Sequence, residues 1–358
     1  MIAYQNKNLP IFHFQIICIL SELFRMNENK TYFCFKLYIY MFRFIKYSGI
    51  ILFCTTMLSC ISKQSTQKEL KVEIVSNITA KLGEGSVWDY QKQVLYWIDI
   101  EEGILFEYDP EANTTITHKA GKKIGTVVPE SKNTVVLAMQ DGIYRMYLDN
   151  DSLEFIVKPV SLLENQRFND GKCDPAGRFW AGTIGPRKSC FLYKLDNNGT
   201  ISEVLDSITT SNGIIWSLDS TKMYYIDTNT SNVRQFDYDV QTGIIQKGKV
   251  IIEVPDSLGY PDGMTIDSEG KLWIAFWSGY GVYRYNPETG ILMQKIDVPA
   301  KNVTSCAFGG KYLDVLFITT ARQGMSEEEM LRMPDAGKLF KVKTGIKGIK
   351  ANFIKTSK

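Results

Sequence analysis

Six short polar corners carry most of the residues in this chain that could do chemistry. They are Gly83-Glu84-Gly85, Gly125-Thr126, Arg167-Phe168-Asn169-Asp170-Gly171, Ser211-Asn212-Gly213, Pro261-Asp262-Gly263 and Val303-Thr304-Ser305. The interval to the next turn residue is five in four of them: Glu84 to Asp89, Asn169 to Asp174, Asp262 to Asp267 and Thr304 to Gly309. Asn212 fits the same frame with a two-residue insertion before Asp219. If equivalent units surround an axis, this register turns Glu84, Asn169, Asn212 and Asp262 towards one another. Asn-Gly and Asp-Gly are common turn dipeptides. Four of these corners in register, each entering an apolar run, argue instead for a shared geometry. Two carboxylates with amide oxygens, and no imidazole or thiolate, make a hard-oxygen set that suits Ca2+, Mg2+ or Mn2+ better than structural zinc.

Other chemistries are poorly supplied. His13 and His118 are the two histidines, and a Ser-His-Asp triad, a His-paired cysteine or a multi-histidine zinc site needs imidazole among other catalytic groups. His118, in the polar stretch 114–123, reads as an exposed strand or loop residue. Cys173, Cys190 and Cys306 are an odd number at wide spacing, which is neither a disulfide framework nor a zinc pattern. Cys173 and Cys306 sit in apolar runs and read as buried fillers. The 41 basic and 39 acidic residues leave a formal charge of +2, which gives no electrostatic reason to expect a nucleic-acid partner.

The elements that must position the corners are strands. A pattern returns along the chain: a polar corner, an apolar strand ending in a turn residue, a second strand rich in Tyr, Trp and Ile, then a third strand and an Asp/Asn/Gly turn. The turn residues Asp89, Glu130, Asp174, Asp219, Asp267 and Gly309 are separated by 41, 44, 45, 48 and 42 positions. Repeats of this length containing several strands are the mark of propeller blades, which bury their faces against neighbouring blades. The expected fold is therefore all-β: a six-bladed β-propeller over residues 70–358, with four-stranded antiparallel blades around a central channel. Its bare chemical reading is a metal-binding propeller with a polar mouth.

The preceding residues read differently. In residues 41–60 the basic Arg43 and Lys46 precede an apolar run from about Ile50 to Leu58, followed by Ser59-Cys60. That order resembles a bacterial lipoprotein-type signal, with Cys60 as the lipidated residue of an exported protein of the cell envelope. A lipid anchor at Cys60 would be its one link to a membrane, because the apolar run is too short to span a bilayer. Residues 1–40 have no evident role and read as a leader, and residues 61–69 as a polar linker.

Four blocks in order carry a family likeness: RFNDGKCDPAGRFWAGT (167–183), SNGIIWSLD (211–219), PDGMTIDSEGKLWIA (261–275) and TSCAFGG (304–310). On these the chain resembles the gluconolactonase, SMP-30/regucalcin and luciferin-regenerating-enzyme-like family, and the tail GMSEEEMLRMPDAGKLFKV resembles the closing segment of regucalcin-like members. The resemblance implies a metal-dependent sugar lactonase that hydrolyses an aldono-lactone to the aldonic acid. It implies one divalent cation, with Ca2+ favoured over Zn2+, Mg2+ or Mn2+, on Glu84, Asn212 and Asp262. It further implies that Arg167 and Asn169 contact the sugar and that Asp262 is the catalytic proton acceptor.

One departure bears on substrate. Where regucalcin-like members carry an acidic substrate contact after the AGT motif, this chain reads Ile184-Gly185-Pro186-Arg187. Arg187 would then favour an acidic or phosphorylated lactone, or is simply a solvated loop residue. Two other functions stay open: a non-catalytic calcium-binding propeller, and a hydrolase or isomerising enzyme of the paraoxonase or strictosidine-synthase type. Paraoxonase-like chemistry would normally recruit a histidine near the cation.

Overall fold

A computed structural model of the chain describes residues 70–355. Residues 1–40, 41–60 with Cys60, and 61–69, read above as leader, signal and linker, lie outside the described residues. Among the described residues no helix is long and apolar enough to cross a membrane.

The repeat folds as six four-stranded antiparallel sheets. The first blade runs outward from the axis as Gly83–Asp89, Val94–Asp99, Ile104–Asp109 and Thr114–Lys119. Its inner two strands are buried at every position, whereas the outermost is mostly exposed. A blade is covered on both faces by its neighbours near the axis, so its inner strands show no alternation of buried and exposed positions. The other innermost strands are Ile124–Pro129, Arg167–Cys173, Ser211–Trp216, Tyr260–Ile266 and Asn302–Gly309. Each contacts the next, and the last contacts the first, which closes the ring.

The closing blade is built from both ends of the fold. Asn302–Gly309, Val315–Ala321 and Phe340–Lys343 are completed by Glu73–Ile74, which pairs Glu73 with Lys341 and Ile74 with Phe340. The repeat pattern does not reveal this outer strand, because two residues are too few to carry a period. Its pairing satisfies an edge that would otherwise be open. A short helix, Glu327–Arg332, is inserted in this blade and starts on a capping box between Ser326 and Glu329.

Two turn residues at the far end of the innermost strands tie the strands of their blade together, and one of them, Asp174, also reaches the next blade through Tyr238. Asp174 Oδ1 accepts from the backbone N of Ala176 and Arg178, while Oδ2 accepts from Arg178 Nε at 2.6 Å, Trp180 Nε1 at 2.9 Å and Tyr238 OH at 2.8 Å. Asp267 repeats the device with Glu269 N and Lys271 N on one oxygen, and Trp273 Nε1 and Arg284 Nε on the other. A fully buried carboxylate is tolerable because each lone pair is used. The five-residue interval thus spans one strand, with a polar corner at one end and a structural anchor at the other.

Two sequence expectations about outlying residues divide. Cys173 and Cys306 are buried and free, as expected. His118 is not exposed: it is buried on the outer strand of the first blade, with Nδ1 2.6 Å from Asp151 Oδ1. Asp151 comes from the next blade, so the pairing that covers His118 is tertiary and leaves no mark in residues 114–123.

Candidate functional site

All six innermost strands break register with their neighbour at the polar corner. The shifts fall between Glu84 and Val87, Ile124 and Thr126, Phe168 and Gly171, Ser211 and Ile214, Pro261 and Met264, and Val303 and Ser305. A bulge leaves residues unpaired, bends the strand and re-aims side chains. Asn169, Asn212 and Asp262 sit inside these bulges, and Glu84 starts one that needs Gly85 at φ 59°. The corners are therefore bulged strand starts, not hairpin turns.

The bulges bring the expected residues to one place. Glu84, Arg167, Asn169, Asn212 and Asp262 line a single cavity of about 360 Å³, together with Leu82, Ile184, Thr210, Thr228, Asn229, Tyr260, Trp277 and Gln323. Arg167 Nη1 donates to Asn169 Oδ1 at 2.7 Å. Asn169 Nδ2 donates to Ser211 O at 2.8 Å and to Asn212 Oδ1 at 3.2 Å. Asn212 Nδ2 donates to Thr228 Oγ1 at 2.7 Å. Side chains of the third and fourth blades are thus tied directly across the mouth.

The carboxylates are short of partners. Glu84 accepts a hydrogen bond from Gly85 N at 3.0 Å, and buried Asp262 Oδ1 has no partner among the described residues. Burial first, and then repulsion from Asp170, pushes the Glu84 carboxyl up to about 8. Burial, followed by the charges of Glu84 and Asp170, holds Asp262 well above the usual carboxylate range. Asp170, whose Oδ2 also lacks a partner among the described residues, is raised by its own burial. Burial lowers the Arg167 guanidinium, with Glu101 and Glu84 opposing that effect.

Acceptor atoms with unused lone pairs, crowded where like charges disfavour ionisation, fit a bound cation. Among the described residues no three His, Cys, Asp or Glu side chains cluster as a metal centre. The donor set that fits is two carboxylates, Glu84 and Asp262, completed by the amide oxygen of Asn212. Such all-oxygen sets suit hard cations.

Some of the site was not foreseen from sequence. Thr228, on the turn Thr228–Thr230 after the second strand of the fourth blade, and Gln323, after the second strand of the sixth, lie far from any corner. Tyr260 and Trp277 are register partners in the fifth blade and place aromatic faces at the cavity. An aromatic residue flanking the PDG corner was the available signal for Tyr260. Arg187 is exposed on the loop beyond Ile184 and is not among the residues that line the cavity. His118 is likewise absent from the cavity wall, so among the described residues no imidazole lines it.

A closed ring of six four-stranded blades with an oxygen-lined cavity at one end defines the class of six-bladed β-propellers. The chain belongs to the SMP-30/gluconolactonase/LRE-like family, whose characteristic region matches residues 82–322. It is 41% identical over 264 residues to YvrE of Bacillus subtilis (strain 168), provisionally named a sugar lactone lactonase, covering 73% of this chain and 90% of that protein. It is 37% identical to regucalcin of Danio rerio, covering 78% of this chain and 97% of the relative. Among solved structures it is similar to the calcium-binding protein regucalcin from Agrobacterium tumefaciens str. C58. That similarity has a TM-score of 0.76 and 26% identity, over 79% of this chain and 97% of the other.

Proposed function

We propose that this chain is a sugar lactonase that opens an aldono-lactone to the aldonic acid, using one divalent cation held by Glu84, Asn212 and Asp262, with Ca2+ favoured. The observation that carries the reading is the single cavity onto which Glu84, Arg167, Asn169, Asn212 and Asp262 all open. Kinship with YvrE supports the reaction class, and the calcium-binding regucalcin structure supports the ion.

When bound, a divalent cation supplies the positive charge that the buried carboxylates lack and stabilises negative charge developing on the lactone carbonyl oxygen. The remaining steps fall to the chain's own residues. Arg167, through its remaining N–H groups, and Asn169, through the spare lone pair of Oδ1, offer a fixed donor and a fixed acceptor to the sugar hydroxyls and hold the ring in one orientation. Asp262 Oδ1, without a partner among the described residues, accepts a proton from the attacking water as the water oxygen bonds to the carbonyl carbon. The carbonyl carbon then releases the ring oxygen, which takes that proton, so one water is consumed and one hydroxy acid is formed.

A panel of aldono-lactones assayed by proton release, with chelator and then with Ca2+, Mn2+, Mg2+ or Zn2+, tests the proposal. Turnover that is lost in chelator and restored by a cation is expected. Cation binding with no turnover of any lactone would make the chain a binding propeller instead. The signal reading of residues 41–60 remains a separate proposal, for which a mature amino terminus at Cys60, seen by mass spectrometry, is the expected result.

A further inference from the structure

Arg167, Asn169, Asn212, Thr228 and Pro261 form a hydrogen-bond chain whose direction is set at both ends. A guanidinium can only donate, and Arg167 Nη1 donates to Asn169 Oδ1. A backbone carbonyl can only accept, and Thr228 Oγ1 donates to Pro261 O at 2.8 Å. A hydroxyl has one hydrogen, so with that hydrogen committed to Pro261 the Thr228 oxygen faces Asn212 as an acceptor. Asn212 must then turn its NH2 to Thr228 and leave Oδ1 on the opposite side. There Oδ1 accepts from Asn169 Nδ2 and keeps a lone pair for the cavity.

We propose that Thr228 is a positioning residue for the cation site. Its hydroxyl, opposite the Asn169 amide, holds the Asn212 NH2 away from the cavity so that Oδ1 faces it and, through Pro261, seats the bulge that carries Asp262. One side chain thereby ties two of the three oxygen donors together across the boundary between the fourth and fifth blades. With the amide reversed, Asn212 would direct N–H groups at a cation in place of an oxygen. Thr228 is itself held by its neighbours: Thr228 N donates to Thr210 O, and Asp227 accepts from Thr209 N and Thr210 N. This inference rests on the cation reading above.

The test compares Thr228→Val, close in shape but without a hydroxyl, with Thr228→Ser, which keeps it. Calorimetric titration with Ca2+ alone, and with Mn2+ alone, is run on the chain without substrate, and melting is recorded in chelator to establish folding. Removing such an orienting partner is expected to weaken cation binding about 10- to 100-fold in the Val protein. The Ser protein should stay within about threefold of the parent, because the oriented hydroxyl survives. Lactone turnover by the Val protein should recover at raised Ca2+. If Val proves unfolded, Thr228→Ala serves as the hydroxyl-free member of the pair. Parental cation affinity without the hydroxyl overturns the proposal, as does a Ser protein as weak as the Val protein. A parent chain that binds neither cation overturns the cation reading itself, which separates the two failures.

Discussion

Replacing Glu84 by Gln should flatten the dependence of stability on pH in the cation-free protein. Folded Glu84 holds its proton up to about 8, whereas the ordinary value is 4.5. Between those values the folded state binds the extra proton. Its stabilising contribution is therefore complete below 4.5 and is lost as pH rises through about 8. At about 1.4 kcal/mol for each pH unit of the gap, the full loss is roughly 5 kcal/mol, an upper figure because the site relaxes when it ionises. For a domain of this size that corresponds to a fall in Tm of roughly 10 °C. Asp262 adds in the same direction, and Glu84 is itself one cause of its raised value. The Glu84→Gln substitution would thus remove the share due to Glu84 and part of that due to Asp262. Melting from pH 5 to pH 8.5 in chelator, followed by addition of Ca2+ at the upper end, is the assay. The parent should lose stability on the way up and regain it with Ca2+; the Glu84→Gln protein should lose less, keeping the share that burial alone gives Asp262, and should regain less with Ca2+. An unchanged slope in that variant, with an unchanged Ca2+ response, would refute both the electrostatic account and the place of Glu84 at the cation.

Asp262→Asn keeps the shape but not the proton-accepting oxygen, so turnover should fall by about 10²- to 10⁴-fold; near-parental lactone hydrolysis would remove Asp262 from the mechanism. Asp267→Asn strips a buried charge from Arg284 and Trp273 at the opposite end of the same strand, and denaturant titration should show a loss of about 3–5 kcal/mol. KM of the protein that remains folded should not move, whereas a changed KM would contradict the division of labour along the strand. Arg187→Ala should leave kcat and KM within about twofold for neutral and acidic lactones alike, because exposed residues away from a cavity have small effects; selective loss on acidic lactones would return Arg187 to the site.

The polar corners were legible because their information is local and repeated. A blade must enter its innermost strand at one height, so the same interval recurs wherever the same strand length does, and Glu84, Asn169, Asn212 and Asp262 stand out by register alone. The alternative of simple turns could not be settled in the text, since bulge and turn both use Asn, Asp and Gly. Only the strand pairing distinguishes them. Trp180 and Trp273 were visible as residues of apolar second strands, but their hydrogen bonds to Asp174 and Asp267 depend on how strand two folds back against strand one.

From the amino-acid order alone came the six blades, the oxygen-only chemistry of the corners and the family resemblance, because each rests on composition or spacing within a few tens of residues. Tertiary structure decided that Glu73–Ile74 completes the last blade, that Asp151 covers His118, and that Thr228 aims Asn212 while holding Pro261. Those contacts join segments from separate parts of the chain, and a hydrogen bond a few ångströms long has no counterpart in the sequence until the ring is closed.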